Sequence, residues 1–356
     1  MYGNIEYVKE LYNSMGNRHK LDEQYGVVFV YNSSSKIRDK IHASECIYPE
    51  EKNMIISSFR KCAKFVYAFD GEDTFLKEIP RLKQKHLHIL VYSMAQDING
   101  IGRRCMIPLA CDYYNLINIG AGFMESVYGG NKYLMYHQLK DVPGLSFPAT
   151  YYILHTEDID YYTSAGLTGK WLLKPNDESA SIGLEVLDLD QYNKESFRIH
   201  LLEYRKGFPI FCLQEYIEGE EVAVPLLWLS GQYYCPGISK VVFQTEKHYL
   251  DYETVALGLC SYEEYQGEMK EQLIQSSLLV AKILGYKAIS RVDFRLRDGV
   301  GYIEDIGPNP TISEANGVNE LFRLRLNAPS SCVYELLLYS ALVHNDLLKP
   351  PFHYTP

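Results

Sequence analysis

Residues 291–310 read RVDFRLRDGVGYIEDIGPNP. Val292, Phe294 and Leu296 alternate with Arg291, Asp293 and Arg295; past Gly299 and Gly301 the chain runs on through Tyr302, Ile303 and Ile306, interleaved with Glu304 and Asp305. Alternating polarity on both sides of a glycine pair predicts a β-hairpin. An Arg and an Asp two residues apart, followed by a further acidic pair, are explained either by a hairpin with one wet face or by a cation site. Side chains two residues apart share a face of a strand. Arg291 therefore falls with Asp293, and Asp305 with Asn309, while Glu304 falls on the opposite side.

The chain around this hairpin has 356 residues, too many for one small core, and predicts two or three domains. Its composition, 47% hydrophobic and 22% charged, fits a soluble globular protein. There is no apolar run of about 18 residues and no charged-then-apolar leader at Met1, so a cytoplasmic protein is expected. A formal charge of −10, from 35 basic and 45 acidic residues, disfavours nucleic acid or an anionic membrane as a partner. Eight scattered cysteines without a CxxC pair predict reduced, mostly buried thiols and no structural zinc.

YGVVFVYN (25–32), CAKFVYAFD (62–70) and LHILVYS (87–93) are short apolar runs separated by helix-length stretches, which predicts parallel strands in βαβ units. With the amphipathic helix MIPLACDYYNL they make a first α/β domain over 1–122. Residues 123–210 read as a second domain, with a helix over KYLMYHQLKD, a strand WLLKP, the small flexible loop DESASIG and a strand LEVLDL. A third, 211–356, opens with the strand FCLQEYI and holds the helix EMKEQLIQSSLLVAKILG, where Ile274, Leu278 and Ala281 share a face and Gly285 is placed to end it. Gly100 and Gly102 lack the third glycine of a dinucleotide fingerprint. His86 and His88, without further ligands nearby, read as structural.

Four stations follow one another along the chain: Lys132 opening a helix, Lys174 ending a strand before a Ser-rich loop, QEYIEGEEVAV (214–224), and the Arg/Asp hairpin. Together with MAQDINGIGRRCMIPLACDYYNLINIGAG and SVYGGNKYLMYHQLKDVPGLSFPATYYI, they resemble the ATP-grasp superfamily, and within it the D-alanine–D-alanine ligase family, over nearly the whole chain. The resemblance implies a three-domain ATP-grasp architecture, α/β overall and α+β in the ATP-binding half, with an N-terminal parallel-sheet domain. It implies an ATP- and Mg²⁺-dependent carboxylate–amine ligase that works through an acylphosphate and releases ADP and phosphate. By resemblance, Lys132 and Lys174 would contact the nucleotide phosphates, under a lid built from the backbone of Ser179, Ser181 and Gly183. Glu215, Tyr216 and Ile217 would form the edge that binds adenine, and Glu221 would accept from the ribose hydroxyls. Asp293 and Asp305 would hold Mg²⁺, two ions with Mn²⁺ as a substitute, and Arg291 would stabilise the oxyanion. Ser313, in PTISEANG, would bind the second substrate's carboxylate. The implied substrates are amino acids or dipeptide-like molecules, and a homodimer is compatible with the resemblance.

Several positions depart from the family pattern. Its second metal strand reads Glu-x-Asn, whereas DIGPNP puts Asp305 at the Glu and Gly307 at the Asn. Glycine has no ligating side chain, so either Asn309 reaches in, or Glu304 takes part through a local shift, or water and phosphate hold one ion. Strand alternation favours Asp305 with Asn309. In KHYLDYETVALGL, Val255 stands where the family carries a lysine, which leaves Lys247 or Lys240 to supply that charge. NSSSK replaces the glycine-rich turn after the first strand. Two further functions stay open: another ATP-grasp ligation, joining an amino acid to a peptide or biosynthetic intermediate, and a catalytically weak nucleotide-binding regulatory protein.

Overall fold

The three apolar runs near the N-terminus form a parallel sheet. The computed structural model describes residues 2–15, 19–34, 46–96, 102–244, 249, 250, 254, 259–310, 312, 317–329 and 331–349. In it β1 (Tyr25–Tyr31), β2 (Val66–Asp70), β3 (His88–Ser93) and β4 (Ile117–Asn118) run parallel in the order β2-β1-β3-β4. Helices cover both faces, which is why β1 is apolar at every central position. Val27 and Phe29 pack on Ile55 and Phe59 of the helix Pro49–Cys62. On the other side, Val28 and Val30 pack on Phe75 and Ile79 of Glu72–Lys85 and on Ile107 of Met106–Tyr114.

A second sheet is antiparallel, with β5 (Thr150–Ile153), β6 (Lys170–Pro175), β7 (Glu185–Asp188) and β8 (Phe211–Glu215) in the order β5-β8-β6-β7. A boundary at 210 cuts through this unit, because β8 returns to the middle of the sheet. Its Phe211 and Leu213 are buried with Trp171, Leu173 and Phe197.

The third sheet contains β9 (Glu220–Leu229), β10 (Gln232–Tyr234), β11 (Ser239–Phe243), β12 (Cys260–Glu264), β13 (Ile289–Arg297) and β14 (Val300–Pro308). Its order is β12-β11-β9-β13-β14, with β10 beside β9. Val222, Val224, Val292, Phe294, Ile303 and Ile306 form one apolar face under the helix Lys270–Leu284. Gly285 ends that helix in the left-handed region, at φ +73. The hairpin turns on Asp298 and Gly299, at φ +52 and +73, with Arg297 paired to Val300. That is a two-residue turn of the type whose twist suits a hairpin. Gly301, read as part of the turn, lies within β14 instead, and a Cβ there would come 2.6 Å from Leu273.

The helices Gly317–Leu326 and Cys332–His344 leave the third sheet and join the core of the first. Phe322, Val333 and Tyr334 lie in one cluster with Val27, Phe59 and Leu90, and Leu227 and Ile289 reach it from β9 and β13. The two ends of the chain thus share an interior. All eight cysteines are free and six are buried. Among the described residues no helix is long and apolar enough to cross a membrane.

Candidate active site

The face of the third sheet opposite Lys270–Leu284 carries the charges. Arg291, Asp293 and Arg295 of β13 lie opposite Pro225, Ala223 and Glu221 of β9, and Asp293 lies opposite Asp305 of β14. Beyond that pair the register slips: Phe294 pairs with Ile303, so Glu304 is the extra residue of a β-bulge. The bulge overturns the expectation from strict alternation that Glu304 faces away. Ile303 and Ile306 both stay in the apolar core, and Glu304 and Asp305 both turn to the charged side. Glu304 lines a cavity with Lys132, Lys174 and Gln214.

Buried charges need partners. Arg291 donates to Asp293 Oδ2 at 2.7 Å. Arg295, 2% exposed, donates to Glu221 at 2.7 Å, places its Nε 3.5 Å from Glu304 and lies over the Tyr216 ring at 5.3 Å. Burial pushes the Asp293 carboxyl up against the pull of Arg291. Glu221 is pushed up to about 7, by burial first and by Glu304 and Asp293 next, with Arg295 opposing. For Asp305 burial is outweighed by Lys132, Lys174 and Arg291, which hold its carboxyl below the usual range.

Two carboxylate oxygens here, Asp293 Oδ1 and Glu304 Oε1, are buried without a hydrogen-bond partner. An orphaned anionic oxygen is costly, and a hard divalent cation with oxygen ligands is what satisfies it. The donor set therefore fits Mg²⁺. Among the described residues no three His, Cys, Asp or Glu side chains already stand together as a metal site. Asp293 and Glu304 are instead held by Arg291 and Arg295. Asn309 does not join the acids. β14 ends at Pro308, Asn309 turns left-handed at φ +47, and its Oδ1 accepts from the Ala121 N–H at 3.0 Å. Alternation no longer applies past the strand end.

Lys174, 9% exposed at the end of β6, donates to Gln214 Oε1 at 2.7 Å, and Gln214 in turn donates to Thr150. Lys132 opens the helix Lys132–Leu139 and reaches the Glu178 carbonyl at 2.6 Å. The Ser-rich loop is tied down along its length. Arg103 pairs with Glu178 at 3.0 Å, Arg104 donates to Ser179 Oγ at 2.6 Å, Ser181 Oγ donates to the Leu250 carbonyl at 2.7 Å, and Tyr204 donates to the Gly183 carbonyl. Ala180 and Ser181 are left-handed, at φ +52 and +58, and Gly183 at +71 has no room for a Cβ beside Phe208 and Pro175.

The expected adenine edge is partly spent. β8 has neighbours on both sides, and the N–H groups of Glu215 and Tyr216 already donate to Ala149 and Lys170. Ile217 lies just past the strand, fully buried. The Glu215 side chain pairs with Arg297 at 2.9 Å. Lys240, an alternative source of the loop charge, pairs with Glu220 and Glu263 instead. Ser313, Lys247, Val255 and Gly100 lie outside the described residues. His86 is structural, bonded at 2.8 Å to both Tyr67 and the Glu23 carbonyl, and His88 stacks on Tyr25.

Reading by sequence assigned no role to Arg295, Gln214 or the Arg103–Arg104 pair. Arg295 had a signal, its place two residues beyond Asp293 on the charged face. Gln214 had a weaker one, a lone amide in an apolar strand. Arg104 had none, since Ser179 is 75 residues away.

Residues 129–313 match the ATP-grasp domain family. The chain is 24% identical over 276 residues to a D-alanine–D-alanine ligase of Fervidobacterium nodosum, covering 73% of this chain and 83% of that protein. To the D-alanine–D-alanine ligase of Pseudothermotoga lettingae it is 22% identical over 270 residues, with the same coverage. The crystal structure of D-alanine–D-alanine ligase from Bacillus anthracis complexed with ATP superposes with a TM-score of 0.67 over 92% of this chain and 99% of that one, at 16% identity. D-alanyl-alanine synthetase A from Vibrio cholerae gives 0.66 over 90% and 99%, at 12% identity. At such identities these structural likenesses speak for the fold.

Proposed function

The chain belongs to the ATP-grasp family and is D-alanine–D-alanine ligase-like, a ligase that forms C–N bonds, and from that premise we propose that it activates one amino acid as an acylphosphate and joins it to the amine of a second. Lys132 and Lys174, whose charges converge on Asp305, would bind phosphate oxygens and hold the γ-phosphoryl group in line with the attacking carboxylate. Asp293, Glu304 and Asp305 would hold Mg²⁺, which neutralises phosphate charge when bound. Arg291, between Asp293 and the cavity beside β11, would stabilise the oxyanion formed when the amine attacks the acylphosphate carbonyl. Glu221 and Tyr216, gathered on Arg295, would border the nucleoside.

The observation that supports this reading is the bulge at Glu304, which brings its carboxylate to the cavity lined by Lys132 and Lys174, the two lysines that depress Asp305. The test is ADP release from ATP and Mg²⁺ with D- and L-amino acids, singly and in pairs. Release that depends on a pair of amino acids is expected. Bound ATP with no amino-acid-dependent release of ADP would falsify it.

A further inference from the structure

A line of hydrogen bonds runs from the first sheet to the Ser-rich loop. Glu72 opens the helix Glu72–Lys85, and its Oε2 accepts from Asn32 Nδ2 at 3.0 Å. Asn32 Oδ1 accepts from the Gln96 N–H, Gln96 Oε1 accepts from Arg104 Nε, and Arg104 Nη2 donates to Ser179 Oγ, each at 2.6 Å. The near end is anchored in packed structure. Asn32 is buried directly after β1, and Arg104 stands two residues before the helix Met106–Tyr114, whose Ile107 and Cys111 lie in the core of the first sheet. Arg103 runs beside it, donating to the Asp177 carbonyl at 3.1 Å as well as to Glu178.

The far end is a strained turn. Ala180 and Ser181 follow Ser179 in the left-handed region, which residues other than glycine keep only where their surroundings fix them. The Ile182 N–H donates to the Ser179 carbonyl at 3.0 Å and closes the turn. One residue before Ser179, the Glu178 carbonyl accepts from Lys132, which lines the cavity with Lys174 and Glu304. The path of the loop through Glu178 and Ser179 thus bears on where the Lys132 ammonium stands.

We propose that Arg104 is a positioning residue for the nucleotide phosphates: by fixing Ser179 against the first domain it pre-sets the loop backbone and Lys132 to meet the β- and γ-phosphates. The proposal rests on the ATP-binding part of the function above, not on which molecules are joined. Arg104 itself touches no phosphate. Its planar fork spans Gln96 and Ser179 through two different nitrogens, which the single ammonium of a lysine does not reproduce. Groups held in place before binding raise affinity by removing the cost of ordering them.

Calorimetric titration of the full chain with ATP and Mg²⁺, and separately with AMP, reads this role, because AMP carries the nucleoside without the β- and γ-phosphates. Arg104→Ala is expected to weaken ATP binding by about tenfold and AMP binding by less than about twofold. Arg104→Lys recovers only part of the loss. Ser179→Ala removes the other end of the same bond, so it weakens ATP several-fold and spares AMP, and the double variant binds ATP no more weakly than Arg104→Ala alone. A merely structural role would lower both affinities alike. That result, an unchanged ATP affinity in either folded single variant, or additive losses in the double variant overturns the proposal. If Arg104→Ala does not fold, the same two titrations of Ser179→Ala decide it. The expected pattern in a chain that releases no ADP with any pair of amino acids keeps this role for Arg104 and sinks the ligase function; an unaltered chain that binds no ATP sinks both.

Discussion

Asp293 and Asp305 lie directly opposite each other across the hairpin, and the pairing slips by one residue immediately beyond them. Two acids at one rung repel unless cations hold them, and here Arg291 holds Asp293 while Lys132 and Lys174 depress Asp305. The slip adds Glu304 to the same side. Replacing Glu304 by Gln should therefore raise the Mg²⁺ concentration for half-maximal activity several-fold, because an anionic oxygen is lost from the cation's surroundings. Asn309→Ala should leave that concentration nearly unchanged. It should cost about 1 kcal/mol of stability through the bond from Ala121. Titrating activity with Mg²⁺ and unfolding both variants in urea separates the two; a severe Mg²⁺ effect in Asn309→Ala with a silent Glu304→Gln sinks the assignment.

Lys174 is almost wholly buried, so its loss has two components. Lys174→Met should lower turnover by about 10² or more and raise the KM for ATP, since a phosphate-binding charge is gone. It should also leave Gln214 Oε1 without its donor, a penalty of about 1–3 kcal/mol. Steady-state kinetics with a denaturation curve reads both. Full activity in a folded variant excludes Lys174 from the phosphate site.

Gly307 offers the reverse experiment. A Cβ there meets nothing within 4 Å, and its φ is not in the left-handed region, so Asn should fit without strain. Gly307→Asn places a carboxamide across from Arg291. It is expected to fold with a melting temperature within about 2 °C of the parent, as a change under 0.5 kcal/mol gives, and to need less Mg²⁺. A higher Mg²⁺ requirement argues against a cation at this rung.

Glu51, on the helix Pro49–Cys62, is buried under Tyr334 and accepts from the Ile312 N–H, and burial pushes its carboxyl up to about 7. A carboxyl raised above its unfolded value binds more protons in the folded chain. Its contribution is thus fully present below the unfolded pKa near 4.5 and is lost as the pH rises through about 7. Glu51→Gln should be more stable than the parent at pH 8 by about 1–3 kcal/mol and should flatten the decline between pH 5 and pH 8. Urea unfolding at several pH values checks this; a parallel pH dependence in both proteins shows that Glu51 is not the group responsible.

Local sequence determined much of this protein. Period-two alternation marked β13 and β14, uniform apolar runs marked β1 and β3, and Gly285 marked a helix end, because burial on one or two faces and left-handed φ each leave a residue-level trace. The order of Lys132, Lys174, QEYIEGEEVAV and the hairpin marked the family, whose model matches residues 129–313. Tertiary structure decided the rest. No local pattern announces the slip that turns Glu304 towards the lysines, because a bulge is fixed by which partner residues the two strands find. The place of β8 inside the second sheet and the capture of Ser179 by Arg104 likewise depend on residues tens of positions apart. Such contacts arise only when separate elements bury against one another, and a linear pattern carries the cost of that burial but not the identity of the partner.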